Sequence, residues 1–273
     1  MDPQEYKMRT MKLWDEVAPR YHGRWAGPAR GPFGATGRLV ELAGIREGDR
    51  ILDIACGTGI VAGRAAAAAG PQGSVVGVDI SSGALSIARG RVGENVDLVR
   101  GDAEGAFLRG PFDAVTCQYA LFYFPDAAAV LRSARRLLRI GGTLAASVHG
   151  HNAPFFTCIL DAMRDSIPDY FPQDSPDLDR FGDRGALAAA AEEAGFGGIR
   201  TEVLTFLYSP GSFDEYWAGH LSYVAEESRS RILGLPAAEL AALEEHVRKN
   251  VEPYEDGNTI TFPWEVILLA ATD

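Results

Sequence analysis

Ile51-Leu52-Asp53-Ile54-Ala55-Cys56-Gly57-Thr58-Gly59 decides the reading of this chain. Its apolar half reads as a buried strand ending in an acid, and its second half as a glycine turn. A helical stretch follows over 60–69. Gly57 and Gly59 lack a Cβ, so the backbone there can turn sharply and come close to a ligand. Further on, Val75-Val76-Gly77-Val78-Asp79 reads as a second buried strand ending in an acid. Two acids at neighbouring strand tips, the second 20 residues beyond Gly59, suit a nucleoside-bearing ligand at the carboxyl edge of a parallel sheet.

Gly57-x-Gly59-x-x-Ala62 also fits a loose dinucleotide fingerprint. Asp53, four residues before Gly57, argues against that fit. A carboxylate there repels a pyrophosphate and attracts an ammonium group. The turn therefore favours an amino-acid-bearing nucleoside. A nicotinamide-dependent oxidoreductase stays open as the rival reading.

Further segments extend the pattern. Val78-Asp79-Ile80-Ser81 is followed by Gly101-Asp102-Ala103-Glu104 after a short strand at 96–100. Phe112-Asp113-Ala114-Val115-Thr116-Cys117-Gln118 precedes Leu121-Phe122-Tyr123-Phe124-Pro125-Asp126. Leu137-Leu138-Arg139-Ile140-Gly141-Gly142-Thr143-Leu144 reads as a turn into a fifth strand. In this order, over roughly residues 40–150, the chain resembles the class I S-adenosylmethionine-dependent methyltransferases. It is most similar to the small-molecule branch that includes enzymes of ubiquinone and menaquinone biosynthesis.

The resemblance implies S-adenosylmethionine as cofactor and assigns its contacts. Asp53, Ala55, Gly57 and Gly59 would hold the amino-acid end, and Asp79 the ribose hydroxyls, since one carboxylate has two acceptor oxygens. Ile80 and Leu85 would pack on the adenine, Asp102 would accept from its amine, and the Ala103 amide would reach a ring nitrogen. Gln118 would sit by the amino-acid end or the transferred methyl, and Tyr21 would touch the cofactor. The acceptor would be a largely apolar or aromatic small molecule, methylated on O, N or C, as in secondary-metabolite biosynthesis. A cyclase or rearrangement catalyst on the same fold stays open.

His149 and His151 follow the fifth strand and are the candidates for a general base. As a metal pair they lack a third ligand, so no metal is expected. Phe122, Tyr123, Phe155, Phe156, Tyr216, Trp217, His220 and Tyr223 are the candidate acceptor contacts, with fewer than half of the aromatic residues expected to touch it.

The periodicities predict a doubly wound α/β fold. Strands are expected near 50–55, 74–79, 96–100, 113–118, 143–148, 199–208 and 262–271. They would form a seven-stranded, mostly parallel sheet with the last strand antiparallel, as the resemblance implies. Residues 1–35 read as a helical cover, with Pro19 interrupting the pattern, and 36–149 as the cofactor-binding core. Residues 150–183 and 209–258 read as lid insertions, 184–208 as core and 259–273 as the final strand.

The 273 residues are 47% apolar and carry a formal charge of −11. Polyanion binding needs concentrated Lys and Arg, so no nucleic-acid partner is expected. The absence from the sequence of an apolar run long enough to span a bilayer, and of a signal-peptide pattern at the start, reads as a cytoplasmic protein. A homo-oligomer is compatible with the pattern. Cys56, Cys117 and Cys158 form no C-x-x-C pair, so no disulfide framework is expected.

Overall fold

The computed structural model describes residues 2–26, 31–105, 108–150, 153–170, 177 and 179–273, with backbone alone at positions 32 and 223. Strand β1 (Arg50–Ile54) is the centre of the fold. Ile51, Leu52 and Ile54 are all buried, as expected for a parallel strand covered on both faces. It pairs in parallel with β2 (Ser74–Asp79) on one side and β4 (Phe112–Gln118) on the other. Outside these lie β3 (Val96–Arg100) and β5 (Leu138–His149), both also parallel to their neighbours. Beyond β5 come β8 (Thr259–Thr272) and β6 (Gly197–Gly211), giving the order β3-β2-β1-β4-β5-β8-β6. Strand β8 runs antiparallel to β5. A two-residue strand, β7 (Glu255–Asp256), pairs with β8 and makes the sheet eight-stranded rather than seven.

The strand order reverses between β1 and β4, which opens a crevice at the carboxyl ends of these strands. Asp53, Asp79 and Gln118 stand at that edge.

The helices α1 (Pro3–Tyr21), α2 (Thr36–Leu42), α3 (Ile60–Ala69), α4 (Ser82–Arg89), α5 (Ala127–Leu137) and α7 (Arg184–Glu193) belong to the same unit as these strands. In α3, Val61, Ala62, Ala65, Ala66 and Ala69 form a buried stripe of small side chains. Asp126 caps α5 by accepting from the Ala129 amide at 2.8 Å.

Two boundaries differ from the sequence reading. Pro19 lies inside α1 rather than breaking it, and the chain passes into a π-helical turn at His22–Ala26. Leu138 opens β5 opposite Phe112, so Gly141 and Gly142 lie within the strand, where the register shifts. Gly141 takes φ +73°, the conformation such an irregularity requires.

The chain divides into two compact units. The larger comprises residues 2–151, 176–204 and 266–273, and the smaller 152–175 and 205–265. The smaller unit contains α6 (Pro154–Ser166), α8 (Phe213–Tyr223), α9 (Glu226–Leu233) and α10 (Ala237–Val251). Asn250 donates from Nδ2 to the Cys158 carbonyl at 3.0 Å, tying α10 to α6. Phe155, Tyr216, Phe262 and Trp264 form its aromatic core, all essentially inaccessible. The region 210–256 forms three helices, because Val224-Ala225 separates α8 from α9 and Leu235-Pro236 separates α9 from α10. All three cysteines are buried and free. Among the described residues no helix is long and apolar enough to cross a membrane.

Candidate active site

The crevice holds a cavity of about 150 Å³ within the larger unit. Its floor is the carboxyl edge of β1, β2 and β4, and α1 supplies one wall.

Asp53 is 1% exposed. Its Oδ1 accepts from the Thr116 hydroxyl at 2.7 Å, whereas Oδ2 is sealed from solvent without a hydrogen-bond partner. Burial pushes its acid dissociation up to about 7, against the Thr116 hydroxyl and the Ala62 amide at the start of α3, which favour the charged form. The neighbouring Asp79 adds to the rise. A buried carboxyl with an unused acceptor on a cavity wall is a site built for a donor, preferably a cationic one.

Asp79 is held differently. Its Oδ2 accepts from the Gly57 amide and its Oδ1 from the Ser81 amide, each at 2.8 Å. Each oxygen keeps a second lone pair, so the pair can still accept from two adjacent hydroxyls. Burial raises its pKa as well, while the amides of Ser81 and Gly57 oppose the shift.

The two glycines of the turn do different work. Gly57, at φ +55°, lines the cavity with open space beside it. Gly59 is not on the cavity wall. At φ +83° it starts α3, and a Cβ there would meet Val92 Cγ1 at 2.8 Å and Ala88 Cβ at 3.1 Å. It is required by backbone conformation and packing. Ala55 and Tyr119 follow the ends of β1 and β4, line the cavity, and take positive φ without being glycine. Such strain collects at sites where direction of a side chain matters.

Asp102 and Ala103 also line the cavity. Asp102 is already engaged: Lys7 of α1 donates to Oδ2 at 2.7 Å and the Glu104 amide to Oδ1 at 3.0 Å. Lys7 also meets Glu104 at 2.5 Å. Any amine accepted by Asp102 shares it with this lysine. Gln118 is nearly buried on the wall, and both amide atoms lack partners. Ile80 lines the cavity, but Leu85 does not. Leu85 turns into the core at 1% exposure, and Ala84, one residue earlier on α4, takes the wall.

Tyr21 is on the wall, together with residues that sequence reasoning passed over: Tyr6, Lys7, Thr10 and Trp14 of α1, and Phe33. Trp14 packs edge-on to both Tyr21 and Tyr123. Tyr123 lines the cavity, whereas Phe122 is buried beneath it against His149. His149 ends β5 at 9% exposure and is not itself on the wall. His151 and the side chain of Tyr223 lie outside the described residues. Phe155, Phe156, Tyr216, Trp217 and His220 all belong to the smaller unit. There Phe155 and Tyr216 are spent in its core, Trp217 and His220 are buried, and Phe156 packs edge-on to Phe155.

Known proteins are similar to this chain in sequence and in fold. A family model described as a methyltransferase domain matches residues 51–142. A ubiquinone biosynthesis O-methyltransferase from Thiobacillus denitrificans is 34% identical over 179 residues, covering 63% of this chain and 74% of that protein. The chain belongs to the class I S-adenosylmethionine-dependent methyltransferases. The methyltransferase is also 40% identical over 111 residues to a ubiquinone/menaquinone biosynthesis C-methyltransferase from Pseudomonas putida. That match covers 38% of this chain and 43% of the relative, so the chain spans less than half the length of that relative. In structure, the methyltransferase matches a protein of Bacillus halodurans, provisionally assigned as a methyltransferase, with a TM-score of 0.58. The two are 25% identical, with 88% of this chain and 98% of the other covered.

The cavity fits the cofactor of this family, S-adenosylmethionine. The orphaned Oδ2 of Asp53 and the unpartnered Gln118 amide offer acceptors and donors for an amino-acid end, and the spare lone pairs of Asp79 offer acceptors for a diol.

Proposed function

We propose that this methyltransferase acts on an uncharged, largely aromatic small molecule, with quinol-type rings the first class to test. The observation that carries the reading is the make-up of the wall beyond the three acids. Trp14, Tyr21, Phe33, Tyr119, Tyr123 and Phe124 present rings and phenolic hydroxyls, and Lys7, the one cation of the lining among the described residues, is committed to Asp102 and Glu104. An aromatic surface with few polar groups suits an apolar ring, and among the described residues no uncommitted cation on the wall would neutralise an anionic acceptor. The printed names of two relatives, both in quinone biosynthesis, agree in class. The formal charge of −11 supports a small molecule over nucleic acid.

Bound S-adenosylmethionine supplies an electrophilic methyl group on a sulfonium. In this reading Asp53, Gly57 and Gln118 hold its amino-acid end and Asp79 its ribose. Ile80, Ala84, Asp102 and Ala103 enclose its base. The chain's main contribution is then alignment, worth up to roughly 7–11 kcal/mol in favourable cases. His149 is the candidate base for an acceptor whose hydroxyl or amine must lose a proton, a contribution of about 10²–10⁴-fold.

The test is a panel of hydroquinones, naphthohydroquinones, catechols and aryl amines, each incubated with the protein and a deuterated-methyl donor. Mass spectrometry should find a labelled methyl on a phenolic or ring position, with one adenosylhomocysteine released per product. Methylation confined to charged aliphatic acceptors would overturn the acceptor class. Product formation without adenosylhomocysteine would favour cyclase or rearrangement chemistry instead.

A further inference from the structure

We propose that Asp179 is a positioning residue for His149, fixing the tautomer that leaves its outer nitrogen free to take a proton. The proposal rests on the reading of His149 as the base and deepens it.

The His149 ring is wedged against Phe122, with ring centres 4.7 Å apart, and lies 6.1 Å from the ring of Tyr119. Tyr119 is on the cavity wall, and His149 packs beside it without lining the cavity itself. Two oxygens face His149 Nδ1. The Gly150 carbonyl lies at 3.1 Å and Asp179 Oδ1 at 3.5 Å. A carbonyl oxygen can only accept, so Nδ1 must carry the proton of the neutral ring. Nε2 is then left with a lone pair. The Asp179 carboxylate, at 3.5 Å, is near enough to pair with the ring when it is protonated.

The local chain holds Asp179 there. Its amide donates to Asp177 Oδ1 at 2.9 Å, and its carbonyl accepts from the Gly182 amide at 2.7 Å, forming a tight turn. The next residue, Arg180, donates from Nη2 to the Leu121 carbonyl at 2.9 Å and to the Phe124 carbonyl. Phe181 is buried in the core behind it. Leu121 and Phe124 flank Tyr123, which with Phe124 forms part of the cavity wall. The arginine therefore pins the acid to the loop that carries the wall, and histidine, acid and wall are fixed together.

The chemistry balances within these groups. His149 does not itself line the cavity, so a proton leaving an acceptor hydroxyl would reach Nε2 through one water. The oxygen would keep its electron pair and bond to the methyl carbon as the sulfur–methyl bond breaks, its electrons returning to sulfur and adenosylhomocysteine leaving. The imidazolium that results donates through Nδ1–H to the Gly150 carbonyl, and the negative charge of Asp179 at 3.5 Å offsets the positive charge gained. Nε2 later returns its proton to solvent.

Long-range proton–nitrogen spectra of the full chain labelled with ¹⁵N-histidine test the idea without any acceptor. His149→Gln identifies the resonance. The wild-type ring should be the Nδ1–H tautomer when neutral, and Asp179→Asn and Asp179→Ala should each move the tautomer ratio about tenfold toward Nε2–H, as loss of a charged hydrogen-bond acceptor implies. An unchanged ratio in both variants would overturn the proposal. A second arm uses a 1,4-naphthohydroquinone with labelled donor. Asp179→Asn should lower kcat about 10- to 100-fold with cofactor affinity unchanged, as for other groups that orient a histidine, and Asp179→Glu should recover part of it. A shifted tautomer in a protein whose wild type methylates no aromatic acceptor would support the dyad and refute the acceptor class alone. Wild-type turnover with unaltered kcat in Asp179→Asn would refute the dyad.

Discussion

Asp53 shows how one residue ties stability to recognition. Its carboxyl titrates near 7 in the folded chain against an ordinary 3.8. Between those values the folded state keeps a proton that the unfolded chain has released, so stability falls as pH rises through the window. Cofactor binding has the opposite sign, because an ammonium group prefers the carboxylate. Affinity for S-adenosylmethionine should rise across pH 6 to 8, by up to about tenfold per unit below 7. Asp53→Asn should flatten both trends. Thermal melts of the free protein from pH 5 to 8 and calorimetric titrations over the same range check this, and parallel curves for variant and wild type would remove the assignment. Asp79 is the sharper test of geometry. Asp79→Ala takes away the two oxygens proposed to accept from the ribose diol and leaves the Gly57 and Ser81 amides without that partner. Its cofactor affinity should fall by at least about 100-fold, two lost polar contacts of about 1.5 kcal/mol each. Unchanged affinity by calorimetry would place the ribose elsewhere.

At the scale of elements, the wall depends on how α1 seats on α4. Asp15 Oδ1 accepts from the Ser81 hydroxyl and the Gly83 amide at 2.8 Å and from the Ser82 hydroxyl at 3.2 Å. Gly83 has no room for more: a Cβ would lie 2.6 Å from the Asp15 carbonyl oxygen. Gly83→Ala should therefore lift α1 while sparing the sheet. Cofactor affinity should drop about tenfold, and protease cleavage within residues 3–21 should increase; a variant matching wild type in both would show that α1 is no part of the wall. The sequence carried a trace of this helix. Tyr6, Thr10, Trp14, Ala18 and Tyr21 recur on one helical face, and all line the cavity. The segment reads in sequence as a helical cover, but which of its residues meet the ligand does not, because an apolar helical stripe looks the same whether it meets a sheet or a ligand. The strands were far more legible: unbroken apolar runs ending in Asp53 and Asp79 have few alternatives. Asp179 was not legible at all, because its role comes from a turn pinned by Arg180 to a loop more than 50 residues earlier.

The charge of the whole molecule bears on which ligand stays. The chain is acidic at −11, and among the described residues its cavity lining sets Asp53, Asp79 and Asp102 against a single lysine. S-adenosylmethionine carries a net positive charge through its sulfonium, and adenosylhomocysteine, having lost that methyl, is neutral overall. A negative field concentrated in a crevice with low-dielectric walls attracts the first and is indifferent to the second. Added salt screens such a field, and the Debye length shrinks from about 10 Å at 0.1 M to about 3 Å at 1 M. The affinity for S-adenosylmethionine should accordingly weaken several-fold when sodium chloride is raised from about 0.1 M to about 1 M. The affinity for adenosylhomocysteine should change by less than half as much on a logarithmic scale, because only its ammonium and carboxylate remain and their effects largely cancel. Calorimetric titration of both ligands at several salt concentrations measures the two slopes. Equal slopes would mean that the acids recognise hydrogen-bond donors without discriminating charge, and product release would then need another cause.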